Sequence, residues 1–76
     1  MTDHMYTVRE VAGRFVVVGR ESVIFSATAY AHASMVARAV NLSDRCRESV
    51  LALADDHDER ATILTLARRA LAPYYV

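Results

Sequence analysis

The residues able to do chemistry in this 76-residue chain are few and scattered. The densest group is Asp55, Asp56, His57, Asp58 and Glu59. Clustered carboxylates suit hard cations, but the spacing of a calcium loop, with its glycine, is absent. No second His or Cys lies nearby to complete a zinc set. Helix capping and solubility explain the cluster better, with Asp56 and Glu59, three residues on, forming a capping-box variant in which a carboxylate replaces the hydroxyl. Cys46 is the only cysteine. It sits mid-pattern in a predicted helix, where it reads as a small buried apolar group. The alternative, a reactive or intermolecular thiol, needs a depressed pKa. His32 lies near the edge of an apolar helical arc and reads as a partly buried core or interface histidine rather than a general base. No serine, threonine or cysteine has an identifiable base partner, and Gly13 and Gly19 form no phosphate loop. No catalytic residue, metal or cofactor is therefore expected, and enzyme is the least favoured class.

The elements that would position these residues must fit one small domain, residues 1–76. A chain this short buries only about 60% of the surface its unfolded form exposes, so self-association or unusually good packing must add stability. An intrachain disulfide is excluded by the single cysteine. With 54% hydrophobic residues, there is more apolar surface than one copy easily hides, and a homodimer is the expected assembly. Nine basic residues balance nine acidic ones. A dedicated nucleic-acid binder advertises a basic excess, which this chain lacks. Every cation is arginine, which a GC-rich coding genome explains most simply; arginine forks also suit interfaces and bidentate carboxylate or phosphate contacts. The start MTDHMYT lacks a cationic segment followed by an apolar run, so no secretory signal is expected. No stretch approaches ~20 uninterrupted apolar residues. The expected setting is cytoplasmic, in a bacterium or phage, with no membrane partner.

Along the chain, residues 1–4 are polar and expected to fray. Met5 to Val11, Arg14 to Val18 and Val23 to Ala27 read as three strands. Ala12-Gly13 and Gly19-Arg20-Glu21-Ser22 are the turns between them. Such short links allow only an antiparallel meander, spanning residues 5–27. Thr28 offers a cap to a helix running to about Leu42. That helix carries one apolar stripe of Ala29, Ala33, Val36 and Val40 and a second of Ala31, Met35, Ala39 and Leu42. Tyr30, Ser34, Arg38 and Asn41 mark its polar edge. A helix apolar over most of its girth is packed on more than one side. Ser43 can cap a second helix through Ala54, with Cys46, Val50, Leu53 and Ala54 inward. A third helix, Glu59 to Ala72, turns Ile63, Leu64, Leu66, Ala67, Ala70 and Leu71 inward and ends at Pro73. The helical part spans 28–72. The tail Tyr74-Tyr75-Val76 either straps the core or docks elsewhere. The expected fold class is α+β: a three-stranded antiparallel meander followed by two or three helices packed on one face.

Helices on one side leave the other side of the sheet open. If Tyr6, Val8, Phe15, Val17, Val23 and Phe25 face the helices, the open face shows Thr7, Arg9, Arg14, Val16, Val18, Ile24 and Ser26. Wet sheet faces usually alternate more cleanly. Both parities of the second strand are apolar, so a one-residue slip in register is the alternative. Without that slip, Arg9, Arg14, Val16, Val18 and Ile24 form an arginine-rimmed apolar patch, the expected surface for partner binding or dimerisation.

Phe25, Thr28, Ala29, Ala33 and Ala37 follow a pattern that resembles small open reading frames of phages and mobile elements, over about residues 5–42. The layout is similar to the arm-type DNA-binding domains of tyrosine integrases and to plant AP2-like domains, which lay the open sheet face into a DNA major groove. Those domains carry several basic and often tryptophan residues there, where this chain offers Arg9, Arg14 and Arg20. In size and character it is also similar to anti-CRISPR proteins, which occupy a surface on a nuclease or surveillance complex. The expected function is thus a non-enzymatic protein-binding module, an inhibitor acting by steric occlusion of a host protein or complex. The alternative is a DNA-binding accessory factor using the arginines of the open face.

Overall fold

Links of two residues between β-rich runs leave no room for a parallel crossover. In the computed structural model the three strands accordingly form an antiparallel sheet in the order β1-β2-β3. The structure describes residues 5–19, 22–54 and 57–74. The strands are β1 (Thr7–Val11), β2 (Arg14–Gly19) and β3 (Ser22–Ala27). They are followed by α1 (Tyr30–Leu42), α2 (Asp44–Leu53), a 3₁₀ turn at His57–Glu59, α3 (Arg60–Leu71) and a closing 3₁₀ turn at Ala72–Tyr74. This is the α+β meander-then-helices fold that the sequence predicts. Among the described residues, no helix is long and apolar enough to cross a membrane.

The turn between β1 and β2 is Ala12-Gly13, closed by the Val11–Arg14 pair. Both turn residues have positive φ, 51° at Ala12 and 78° at Gly13. That is the pattern of a type I′ turn, whose twist matches the strands it joins. Glycine adopts it freely, whereas alanine brings its Cβ too close to the following carbonyl. Ala12→Asn is therefore expected to stabilise the chain by about 0.5–1 kcal/mol. Thermal unfolding followed by circular dichroism checks this, and a lowered midpoint would contradict it.

α1 packs against all three strands, and α2 and α3 pack against α1 and against each other. Packed against both sheet and helices, α1 buries Ala33, Val36, Ala37, Ala39 and Val40. Its small alanines let both neighbours approach closely, since side-chain size at the contact sets the interaxial distance. Val17, Val36, Val40, Val50 and Leu71, from β2, α1, α2 and α3, are the largest fully buried side chains. The inward positions expected of α3 are buried or half-buried, and Thr62, Thr65 and Arg69 are exposed.

The helix ends differ in how they are made. Ser43 serves two helices. Its backbone N–H donates to the Ala39 carbonyl at 3.0 Å and ends α1. Its Oγ then accepts from the Cys46 N–H at 3.1 Å and starts α2, as a capping serine does. Arg47 secures the same corner, donating to the Val40 carbonyl at 3.4 Å and pairing with Asp44 at 2.9 Å. Thr28, by contrast, does not cap α1: the N-cap is Ala29, with no side-chain cap. The chain bends at Thr28 and Ala29 before the helix begins at Tyr30, which leaves the threonine one residue ahead of the cap position. The N-cap of α3 is Glu59, also without a side-chain cap. Asp56 lies outside the described residues.

Candidate partner-binding face

The strand register sorts the sheet into two faces. On the inner side run the rows Val8–Val17–Phe25 and Glu10–Phe15–Ala27. On the outer side run Thr7–Val18–Val23, Arg9–Val16–Ser26 and Val11–Arg14. Four valines, Val11, Val16, Val18 and Val23, thus share the open face with Arg9 and Arg14. Val11 is 53% exposed and Val23 55%, while Val16 and Val18 are half-buried by their cross-strand neighbours. Arg14 reaches from β2 to β3, its Nε–H donating to the Ser26 Oγ at 2.8 Å. That bond fixes the guanidinium and leaves its four terminal N–H groups for other acceptors.

Four of the five residues expected at this surface, Arg9, Arg14, Val16 and Val18, share the open face. Ile24 does not. The register shifts between Val17 and Val18, so that Val17 pairs with Phe25 but Val18 pairs with Val23. Ile24 is the extra residue of a β-bulge, which breaks strict alternation along a strand. It turns inward beside Phe25, only 3% exposed, and Val23 takes the outer position instead. Arg20 lies outside the described residues. The open face also includes Val11, which the alternation in β1 implied once Arg9 was placed there.

Other exposed apolar groups are Met5, Tyr30, Leu42, Leu51 and Tyr74. They lie on different elements, and single exposed apolar side chains are ordinary. Tyr30 also makes an edge-to-face contact with Phe15, ring centroids 5.5 Å apart. The open valines differ because the register makes them neighbours, and contiguous apolar patches mark interaction sites.

The remaining chemistry-bearing residues take structural places. His32 is exposed, not partly buried: it lies in the first turn of α1, one turn before the buried Val36. Cys46 is buried, its Sγ 3.9 Å from the Leu66 carbonyl. Desolvation raises its pKa, the reverse of what a reactive thiolate needs. Folding therefore favours the neutral thiol. Its stabilising contribution is complete below the unfolded pKa, ~8.5, and is lost as pH rises through the raised folded value. Denaturation midpoints measured at neutral and alkaline pH should fall further for the native chain than for Cys46→Ala, and parallel falls would contradict this. Asp55 and Asp56 lie outside the described residues. Among those described, no group of three or more His, Cys, Asp or Glu is placed to hold a metal.

Neither a protein-family model, nor a curated protein, nor a solved structure matches the chain. Its function must be argued from its own surface.

Proposed function

We propose that this chain is a non-enzymatic protein-binding module that works by steric occlusion, with the open face of its sheet as the contact surface. A phage or mobile-element inhibitor seated on a host protein complex is the setting this reading fits. The observation that carries it is the valine cluster Val11, Val16, Val18 and Val23, gathered by the strand register and rimmed by Arg9 and Arg14. Burial of apolar surface is a main favourable term in protein association, and arginine is enriched at protein contacts while other charges are depleted. Zero net charge favours a protein partner over a nucleic acid.

Affinity capture of partners from host-type lysate, with and without nuclease, tests the reading. A stoichiometric protein that survives nuclease and is lost with Val18→Glu supports it. Val16→Glu should act alike, and the mass of both variants in solution shows whether the face instead joins two copies. A protein mass that drops from dimer to monomer would make the partner a second copy. Recovery of nucleic acid alone, lost on nuclease treatment and weakened steeply by salt, would replace the reading with DNA binding through Arg9 and Arg14.

A further inference from the structure

The sheet has two edges, and they are defended differently. β1 carries Arg9 and Glu10, and charges on an edge discourage further strand pairing. β3 reads SVIFSA: six residues with no charge and no proline. Among the described residues its outer backbone groups meet no strand, since the order ends at β3. The bulge at Ile24 blunts the middle of this edge, so the template for an added strand is its regular, uncharged end from Phe25 to Ala27.

Beside this edge lies a groove of about 360 Å³, lined among others by Arg14, Ile24, Phe25, Ser26, Arg60 and Ile63. Its apolar floor comes from Ile24, Phe25 and Ile63. Among the described residues its polar wall is cationic, with two arginines and no carboxylate in the lining. Arg14 is held there by its bond to Ser26, and Arg60 lies 5.8 Å over the Phe25 ring, within the range of a cation–π contact. Asp58 and Glu59 precede Arg60 but are not part of the lining.

We propose that the β3 edge takes up an extended peptide segment carrying an acidic side chain between apolar ones, as a fourth antiparallel or parallel strand. This rests on the protein-binding reading and gives the partner a chemistry. Main-chain hydrogen bonds to β3 hold the segment, an apolar side chain enters the groove, and the carboxylate meets Arg14 and Arg60. Guanidinium forks bind carboxylates through paired N–H donors.

The test uses the full chain and a labelled, end-blocked peptide of about eight alternating Thr and Val residues with one central Glu, beside its central-Lys counterpart. Fluorescence anisotropy should show the Glu peptide binding at least about tenfold more tightly, the yield of one charge-assisted contact. Arg60→Glu should invert the preference. Arg60 is exposed and opens α3, where an acidic residue suits the helix dipole, so this variant keeps its fold. Amide exchange should slow along β3 when the Glu peptide binds. Equal affinities for the two peptides, or no binding up to about 1 mM, would overturn the inference. So would slowed exchange confined to β1 and β2 around Val16 and Val18. In each of these cases a lysate partner still lost with Val18→Glu would leave the protein-binding reading standing.

Discussion

Replacing Asn41 by alanine is expected to remove about 2–4 kcal/mol of unfolding free energy. The Asn41 side chain closes a two-bond clamp on the backbone of Tyr6. The Tyr6 N–H donates to Oδ1 at 2.7 Å, and Nδ2 donates to the Tyr6 carbonyl at 2.9 Å. A backbone unit just outside β1 is thereby paired as a neighbouring strand would pair it, but by one amide from the last turn of α1. Truncation breaks both bonds and leaves a partly buried donor and acceptor unsatisfied, which costs more than the bonds contribute. A chain of this length has only about 4–11 kcal/mol in total, so the loss is a large share. Urea denaturation measures it. Exchange of the Tyr6 amide should accelerate beyond the global change, since its only acceptor is gone. Asn41→Asp keeps an acceptor for that amide but sets a carboxylate against the Tyr6 carbonyl, and it should also destabilise. A cost below about 0.5 kcal/mol for Asn41→Ala, the ordinary range for a surface change, would show that the clamp does not hold β1 to α1.

Gly19→Ala is the second large effect. A Cβ on Gly19 would fall on the ring of Tyr6, which covers that glycine and is itself 9% exposed. The clash is with the ring's Cδ1, Cε1 and Cζ atoms, and the clamp at the Tyr6 backbone keeps the residue from sliding away. Overpacking of this kind costs about 1–3 kcal/mol. Because one ring receives the clash, the effect should depend on that ring. In a Tyr6→Leu background the added methyl has space, and the cost of Gly19→Ala should shrink by at least about 1 kcal/mol, a coupling typical of residues in contact. Equal costs in both backgrounds would mean that the glycine is required for some reason other than Tyr6.

Much of the fold was legible because helical and strand periods are strong signals in this chain. Ser43 was readable as a cap from its position before an apolar pattern, and the inward positions of α3 followed from their spacing. The open-face placement of Arg9, Arg14, Val16 and Val18 followed from alternation in β1 and β2. Ile24 was misplaced because period-two reading assumes that no residue is inserted. Val23-Ile24-Phe25 is apolar at every position, so both parities fit, and only pairing with β2 reveals the bulge. Thr28 was misread because a capping residue is recognisable only once the helix start is known. Asn41 was placed on a polar edge, and its long-range role had one faint signal: an amide in the last turn of a helix otherwise closed off by apolar groups. The groove beside β3 joins residues from β2, β3 and α3, and no local pattern announces such a meeting.

The proposed seat of a partner is the open face of the sheet. The most direct measurement is amide hydrogen exchange, compared between the free chain and the chain in complex with its captured partner. Slowed exchange across residues 7–11, 14–19 and 22–27, with α2 unchanged, is the predicted result. Protection confined to the exposed parts of α2 and α3, with the sheet exchanging as in the free chain, would contradict it and move the contact to the helical side.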